Sequence, residues 1–441
     1  VCLPLGRRNL RWGQAALTLF CLVFYVLGGG WAALLVLLAG AAVTVAAVRY
    51  LTSGGKTEKQ RRAAAAVAIV WHVAVLLVFK YTGFFTGGAV DLGWAPLGLS
   101  FFTFQQIWCI KEVYTGAFRP ESTGSFLLYD FFFPSVTSGP ILKPENFFPQ
   151  LTEGRFLHPT WEDAAAGVYA IAVGTIKKVL LADPFGVVVN NGWAQLGDLS
   201  APAAWLVILG YTLQLYFDFS GYCDIAAGLA RLLGLRLPVN FDSPYRSLSV
   251  GEFWKRWHIT LTSFLRECVY FPLGGSRKGT WRTVRNIFLV WFCTGFWHGA
   301  SWNFILWGLH FFVWLMLEKY LLRDFLQKLP SWLRHFYTLV VVFVGWGVFA
   351  MEDLTVCAGY FKTCFGSGTL WSAADGYYLI AYGLTLLLLT VGSTRLPRKV
   401  WDRLPERTRD LLGPLLMTAG LVICTAYLVD GSYNPFLYFR F

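Results

Sequence analysis

The sequence predicts an all-α, polytopic membrane protein, and three observations carry that prediction. Of the 441 residues, 56% are hydrophobic and only 14% are charged, and the mean hydropathy is +0.52. Soluble domains are typically about 25% charged. Eleven apolar runs approach the length of about 20 residues that a helix needs to cross a bilayer. Clusters of basic residues separate several of these runs.

The apolar runs predict about ten to eleven transmembrane helices in a single domain, residues 1–441. No internal repeat, low-complexity tract or long linker divides the chain. Residues 116–160 and 235–285 are more polar, so we expect re-entrant or interfacial segments there. Such segments are tolerated only where they are buried in protein or line a watery cavity. The runs are residues 14–29, 31–50, 63–85, 94–114, 164–182, 202–217, 286–297, 300–322, 336–351, 376–394 and 411–429.

Basic residues set the predicted topology. A net charge of +12 could indicate a nucleic-acid partner, but Lys and Arg lie in short clusters between apolar runs, which is the positive-inside pattern. We therefore expect no nucleic-acid partner, and we place residues 7–11, 56–62, 323–335 and 395–409 in the cytoplasm. Glycines 28–30 predict a tight hairpin between the first two runs. That hairpin agrees with the charges, because it returns the chain to the basic side.

Cysteines and common motifs give few other signals. The nine cysteines lack CxxC spacing, so we expect no metal site. Cys357 and Cys364 lie in a polar stretch, where either a disulfide or two free thiols would fit. The chain lacks a nucleophile elbow, a P-loop, an HExxH sequence and a dinucleotide fingerprint. It begins at Val1 without a signal-peptide pattern, so we expect that the native N-terminus precedes it.

Asp218 and Asp224 lie inside an apolar run. A carboxylate at membrane depth costs at least ~2.5 kcal/mol on insertion scales, so each needs a compensating interaction. One interpretation is structural, with the carboxylates paired to Lys177, Arg231 or backbone amides. The other is that they line the path of a substrate. The sequence leaves both interpretations open.

A predicted helix carries the first candidate histidine. Ser249 and Glu252 have the spacing of a capping box, which starts a helix. An apolar stripe at helical spacing follows, and His258 lies where this stripe meets the polar face. A helix divided in this way lies along an interface more readily than it spans a bilayer, so His258 can face a cavity. The stripe comprises Phe253, Trp257, Leu261, Phe264 and Cys268.

His298 lies among small residues, in the segment GFWHGASW. A single histidine in a membrane core is more often a hydrogen-bonded packing residue, and we interpret His72 and His310 in that way. His298 has a second interpretation, because a neutral imidazole in a dry pocket can remove a proton from an alcohol near neutral pH. Asn303, Trp302 or backbone N–H groups could then stabilise the developing oxyanion.

Several segments, taken in order, resemble the membrane-bound O-acyltransferase (MBOAT) family, and within it the alginate O-acetyltransferase-like branch. The resemblance covers residues from about 95 to 320. The matching segments are PLGLSFFTFQQIWCIKEVYTG from Pro96, IKKVLLADPF from Ile176, YFDFSGYCDIAAGL from Tyr216, NFDSPYRSLSVGEFWKRWHITLTSFLRECVYFPLGGSRKGT from Asn240 and FWHGASWNFILWGLHFFVWLMLEK from Phe296.

The resemblance implies a ring of about ten to eleven transmembrane helices around a central cavity, in a multi-pass protein of the cell membrane. It implies that His298 is essential and that His258 is its companion. It also implies a cytoplasmic acyl thioester, such as acetyl-CoA, as donor substrate, with no bound cofactor. The acceptor would be an exported polysaccharide, reached directly or through a secreted partner protein. The expected cavity-lining residues are Asp218, Asn240, Trp254, Arg256, Trp297 and Asn303.

The chain departs from the family pattern in two places. Glu267 stands where the family usually has Asp, and Phe264 stands where Trp is common, so the local role of this carboxylate is open. In addition, the first helix of the family is largely missing before Arg7. Neither departure involves the two histidines.

Two other classes of function compete with an enzyme. A transporter or flippase for a glycan or lipid would use Asp218, Asp224 and Lys177 at membrane depth, although such folds often contain repeats. A scaffold for a synthase complex would not need histidines beside glycine breaks. Release of free thiol from acetyl-CoA in the presence of an acceptor distinguishes the enzyme from both.

The predicted topology can be tested by labelling a cysteine introduced at Lys399. An impermeant thiol reagent should not modify the Lys399→Cys variant in intact cells, because its loop is expected in the cytoplasm. Permeabilised cells serve as the control, and labelling there should be efficient. Equal labelling of intact and permeabilised cells would reverse the topology.

Overall fold

The fold is all-helical in the part of the chain that the computed structural model describes, namely residues 9–90, 92–120, 122–195, 199–367 and 369–430. Six helices within these ranges are long and apolar enough to cross a membrane. The predicted all-α, polytopic class is therefore confirmed. These helices are Leu10–Thr52, Glu58–Phe85, Trp161–Ala194, Ser331–Ala350, Asp375–Gly392 and Glu406–Asp430.

The chain forms two compact units, and the predicted single domain remains a prediction. Unit 1 comprises described residues of 1–171, 223–239 and 263–272, and unit 2 comprises described residues of 172–222, 240–262 and 273–441. The helices that begin in unit 1 are α1 (Leu10–Thr52), α2 (Glu58–Phe85), α3 (Leu99–Thr115), α4 (Thr123–Phe131), α5 (Phe133–Val136), α6 (Pro144–Thr152) and α7 (Trp161–Ile176).

Unit 2 contains the C-terminal half of the chain and a wide helical turn, Lys177–Ala182, that continues α7. Helices α9 and α11 leave unit 2 and end in unit 1. The helices that begin in unit 2 are α8 (Asp183–Ala194), α9 (Ala201–Leu232), α10 (Val250–Arg256), α11 (Ile259–Leu265), α12 (Thr280–His298), α13 (Trp302–Tyr320), α14 (Arg323–Lys328), α15 (Ser331–Ala350), α16 (Leu354–Lys362), α17 (Ala373–Gly392), α18 (Leu396–Asp402) and α19 (Glu406–Asp430).

The predicted hairpin lies within α1. Gly30 has a φ of +78° inside this helix, where the chain changes direction. A straight helix of 43 residues would be roughly 65 Å long. The Gln14 side chain instead bonds Ser125 at 3.0 Å, and Arg49 bonds Thr123 at 3.1 Å. Because the far ends of the two arms reach the same turn of α4, the chain folds back at Gly30 and the hairpin is confirmed.

Glu267, which departs from the family pattern, belongs to an ion cluster in unit 1. Its carboxylate lies 3.3 Å from Lys143 and 3.6 Å from Lys111, and it accepts a hydrogen bond from the Trp108 indole at 3.3 Å. Burial by itself lowers the pKa of Lys143, but its bond to Glu145 and the neighbouring carboxylates raise that pKa above the usual range. Lys143 is therefore charged, and Glu267 has a structural role.

The Cys357 and Cys364 thiols are both free and form no disulfide with each other. Both side chains are buried, and they pack in a small apolar cluster with Tyr360. The alternative of two free thiols is therefore the one that the structure contains.

Helices α12 and α13 pack closely because glycines lie at their contact. A Cβ atom at Gly295 would lie 2.3 Å from the Phe304 carbonyl oxygen, and one at Gly308 would lie 2.4 Å from the Trp291 carbonyl oxygen. Small residues permit such close contact between membrane helices. The pair brings the end of α12, where His298 is located, beside the first turns of α13.

Substituting Gly308 by Ala should destabilise unit 2. The new methyl group would overlap the backbone oxygen of Trp291, and overpacking of this kind costs about 1–3 kcal/mol. Thermal unfolding in detergent should show a lower Tm than for the wild type. Gly383→Ala is the matched control, since a Cβ there meets no atom within 4 Å. Equal Tm values for the two variants would contradict this account of the helix pair.

Candidate active site

The helix predicted from Ser249 to Cys268 is broken at His258, so the prediction of one continuous helix was wrong. Helix α10 ends at Arg256, and α11 begins at Ile259. His258 has a φ of +45°, a left-handed conformation that a non-glycine residue adopts only when its surroundings hold it there. The break leaves His258 outside both helices, between the end of α10 and the start of α11.

One of the two hydrogen bonds of the predicted capping box is present at the start of α10. The Ser249 hydroxyl accepts a hydrogen bond from the Glu252 N–H at 3.0 Å. The Glu252 carboxylate accepts from the Leu248 N–H at 2.9 Å instead of from Ser249. The start of this helix is therefore fixed at both the cap and the preceding residue.

Asn240 holds the broken backbone in place. Its carbonyl oxygen accepts from the Ile259 N–H at 3.0 Å, and its side-chain oxygen accepts from the Thr260 N–H at 3.1 Å and the Thr260 hydroxyl at 3.0 Å. Two residues further on, the Asp242 N–H donates to the Arg256 carbonyl at 3.0 Å. Residues 240–242 thus supply partners that a continuous helix would have provided internally.

The same side chain determines the tautomer of His258. The His258 Nδ1 atom lies 3.3 Å from the Asn240 Oδ1 atom. That atom accepts from the Thr260 N–H, so it is the oxygen of the amide and not the nitrogen. Nδ1 therefore donates, and in a neutral imidazole Nε2 then carries the lone pair. The nitrogen of His258 that can accept a proton is Nε2.

His298 is the last residue of α12 and lies among aromatic rings. Its ring centroid is 4.6 Å from that of Trp297, 4.9 Å from Trp307 and 5.0 Å from Phe349. The Trp307 and Phe349 rings meet it at 85° and 86°, and the side chain is 9% exposed. The Trp297 centroid also lies 6.3 Å from that of His258. The structure therefore brings the two predicted histidines to one tryptophan.

The structure describes both side chains that were expected to stabilise the oxyanion. Asn303 is fully buried, and its amide nitrogen donates to the Phe349 carbonyl at 2.9 Å. Trp302 is 61% exposed. Their expected role at the oxyanion remains a prediction.

Asp218 is paired, as one of the two interpretations expected, and the partner that the structure shows is Lys178, which the sequence did not predict. The Lys178 ammonium lies 2.7 Å from Asp218 and 2.7 Å from Asp183. Lys178 lies in the wide turn that follows α7, and a turn of this type adds a residue and rotates the side chains after it. Arg231 pairs with Asp163 at 3.0 Å. The predicted place of Asp218 in the lining of the cavity remains a prediction.

Arg256 links the His258 break to the basic segment at 395–409. It lies 2.8 Å from Asp242 and 2.9 Å from Glu252, and Asp242 also bonds Arg395. The hydrogen bond from Arg395 and the charges of both arginines lower the pKa of the Asp242 carboxyl. Arg256 therefore stabilises the segment that contains Asn240, and its predicted contact with substrate remains a prediction.

Trp254 lies in an aromatic cluster in the interior of unit 2, 4.7 Å from the Trp291 ring and 4.8 Å from the Phe311 ring between centroids. The cluster includes one residue that sequence reasoning missed, Trp307, which contacts His298. A tryptophan at helical spacing is normally interpreted as a packing residue, so no sequence pattern indicated a role for Trp307. We define the aromatic cluster as Trp254, Trp291, Trp307, Phe311, Trp346 and Phe349.

His72 and His310 are hydrogen-bonded packing residues, as predicted. His72 Nε2 lies 2.9 Å from the Thr44 hydroxyl, and His310 Nε2 lies 2.9 Å from the Val341 carbonyl. His310 also lines an apolar cavity of about 640 Å³ between α13 and α15.

The Asp242→Asn variant should lose stability at neutral pH but not in acid. Because the carboxyl pKa is lower in the folded protein, its stabilisation is present above the unfolded pKa of about 4 and is lost as pH falls through the folded-state value. The Tm difference between wild type and variant should therefore shrink below about pH 4.

The matched control for this measurement is Asp402→Asn. Asp402 lies 3.8 Å from Arg398 in an exposed pair, which contributes little to stability. A Tm difference for Asp242→Asn that is the same at every pH would exclude the proposed ion network as its cause.

Comparison with known proteins agrees with the predicted family. The model of the membrane-bound O-acyltransferase family matches residues 111–358. Probable alginate O-acetylase AlgI of Pseudomonas putida is 34% identical over 379 residues, which cover 78% of this chain and 75% of that protein. Peptidoglycan O-acetyltransferase of Helicobacter pylori is 33% identical over 326 residues, covering 65% and 62%.

A third relative is more distant. Teichoic acid D-alanyltransferase of Streptococcus thermophilus is 30% identical over 240 residues, covering 52% of this chain and 57% of that protein. The chain thus spans three quarters of the Pseudomonas putida relative but less than two thirds of the other two. The family match includes both histidines and the segment that holds them. The chain therefore belongs to the membrane-bound O-acyltransferase family.

Proposed function

We propose that this protein transfers an acetyl group from a cytoplasmic acyl thioester, such as acetyl-CoA, to hydroxyl groups of a polysaccharide outside the cell membrane. The transfer proceeds either directly or through a secreted partner protein. The observation that carries the proposal is that two buried histidines, His258 and His298, both contact the ring of Trp297. Asn240 holds His258 in a defined tautomer.

The reaction requires a base, and we assign that role to His298. The acceptor hydroxyl gives its proton to the imidazole as its oxygen forms a bond to the thioester carbonyl carbon. The carbon–sulfur bond of the tetrahedral intermediate then breaks, and the thiolate leaves with the proton. The acyl group ends as an ester, and no oxidant or metal is required for this balance. A positioned base of this type contributes about 10² to 10⁴ fold to the rate.

The position of His298 at the end of α12 favours this role. The last carbonyl groups of a helix carry a partial negative charge, which stabilises a cation near the C-terminus by about 0.3–1 kcal/mol. The imidazolium formed during transfer therefore gains an interaction that the neutral ring lacks. The aromatic rings around His298 exclude water, which strengthens such electrostatic interactions.

We assign His258 a supporting role. Its Nδ1–H is committed to Asn240, so only Nε2 can accept a hydrogen bond from a reactant. The lone pair on Nε2 can accept a hydrogen bond from the acceptor hydroxyl, and this bond would orient the hydroxyl toward His298. The shared contact with Trp297 keeps the two imidazoles in one site.

The relatives support the class of acceptor. Their names describe transfer of an acyl group to alginate, to peptidoglycan and to teichoic acid. Each of these is a polymer, which favours a polysaccharide over a small acceptor. Two of the three names specify acetyl, and these two belong to the relatives with greater coverage of this chain. Acetyl is therefore the favoured acyl group.

The transporter alternative relied on carboxylates along the path of a substrate, and one of them, Asp218, forms an ion pair with Lys178. Breaking a buried pair of this type is costly, because it leaves an uncompensated charge.

The His298→Gln variant should lose nearly all transfer activity. Glutamine can form hydrogen bonds but cannot take the proton, so turnover should fall by about 10² to 10⁴ fold. The measurement is release of free thiol from acetyl-CoA in proteoliposomes that also contain alginate oligosaccharide. Donor binding should remain, since the base contacts the acceptor.

The control variant is His310→Gln, because His310 is a packing residue whose Nε2 atom lies 2.9 Å from the Val341 carbonyl oxygen. It should keep most of the activity. Normal turnover by a correctly folded His298→Gln protein would show that His298 only packs. A wild-type protein that releases no thiol with any acceptor would exclude acyl transfer itself.

A further inference from the structure

The indole N–H of Trp307 has no acceptor in the part of the chain that the structure describes. The side chain is 1% exposed, so water does not supply one at its surface. Burying a donor without an acceptor costs free energy, and a phenylalanine would avoid that cost in the same space. A tryptophan here is therefore explained if a bound molecule supplies the acceptor.

The rings around Trp307 hold it in one orientation. Its centroid lies 4.9 Å from His298, 5.2 Å from Phe349 and 5.6 Å from Trp254, and it stacks on Trp346 at 5.9 Å. Turning the indole to find another acceptor would require these rings to repack. The indole ring that carries the donor is consequently held in contact with the ring of His298.

A second polar atom without a partner lies on the same helix face. The Asn303 Oδ1 atom is buried and accepts no hydrogen bond from the described residues. Asn303 and Trp307 are four residues apart on α13, so their side chains are neighbours on one face. An uncommitted acceptor and an uncommitted donor thus lie one turn apart on α13, and the Trp307 ring contacts that of His298. This arrangement fits a ligand that presents both a carbonyl oxygen and a hydroxyl group.

We propose that the Trp307 N–H donates to the carbonyl oxygen of the acyl thioester and stabilises the oxyanion that forms there. The proposal rests on the function proposed above. As the acceptor oxygen attacks the carbonyl carbon and His298 takes its proton, the carbonyl π electrons move onto this oxygen. The negative charge develops at the atom that Trp307 contacts. When the carbon–sulfur bond breaks, those electrons return to the carbonyl and the thiolate leaves.

The strength of this contact changes during the reaction, which gives it a kinetic signature. A hydrogen bond to an oxyanion is stronger than one to a neutral carbonyl, so the donor acts mainly on the transition state. Loss of one such donor typically lowers kcat by about 10² to 10³ fold. KM for the donor should change little, because the ground-state contact is weak.

The test removes the N–H and keeps the ring. Trp307→Phe and a second variant, in which benzothienylalanine replaces Trp307, both lack the donor, and the second retains the shape of indole. In the thiol-release assay with acetyl-CoA, each should lower kcat by about 10² fold with KM nearly unchanged. Their Tm in the absence of substrate should equal or exceed that of the wild type, since an unpaired donor has been removed.

Trp291→Phe is the matched control. Trp291 belongs to the same aromatic cluster, and its ring centroid lies 6.1 Å from that of Trp307. It should keep kcat within about threefold of the wild type, a change worth less than 1 kcal/mol.

Three results would overturn the proposal. One is a kcat within threefold of the wild type for the benzothienylalanine variant. Another is a loss of kcat that is matched by a fall in Tm in both Trp307 variants, which would indicate packing. A wild-type protein without turnover would overturn the proposed function and this inference together, whereas an active wild type with active variants would overturn this inference alone.

Discussion

The candidate site depends on the hydrogen bonds that Asn240 makes to the broken backbone around His258. In a nonpolar interior, a helix can stop only where other groups satisfy the N–H and C=O groups that it leaves open. Asn240 does this with its carbonyl and its side chain, and the same side-chain oxygen receives the Nδ1–H of His258. The break and the tautomer are therefore one structural feature, and neither can be altered without the other.

Two ion networks stabilise the elements around this feature. Lys178 joins Asp183 to Asp218 and so connects α8 with α9, and Asp242 joins Arg256 to Arg395. A buried ion pair adds little stability compared with apolar packing, but it restricts the arrangement of the elements that it connects. The charged groups of these two networks thus position the elements that they connect.

The sequence predicted the elements that depend on local patterns and missed those that depend on tertiary contacts. Runs of apolar residues and the glycines at 28–30 determine the helices and the hairpin, and Ser249 determines the start of α10. The left-handed His258 follows no local propensity, since Asn240, 18 residues earlier in the chain, bonds both His258 and the neighbouring Thr260. The pairing of Lys178 with Asp218 was missed because the wide turn rotates the side chains by an amount that the helical periodicity of the sequence does not reveal.

The site residues, too, divide into those that the sequence predicted and those that it did not. His258 and His298 stood out because histidine is rare in apolar segments, whereas Trp307 did not, because an aromatic residue at helical spacing is normally packing. In the interior of unit 2, a tryptophan can serve both as a packing residue and as a hydrogen-bond donor. Two of the rings that exclude water from His298, those of Trp297 and Trp307, also carry N–H groups. A donor in dry surroundings acts more strongly on a developing charge than one in water. The indole N–H groups of an aromatic core are consequently groups that can act on a bound reactant.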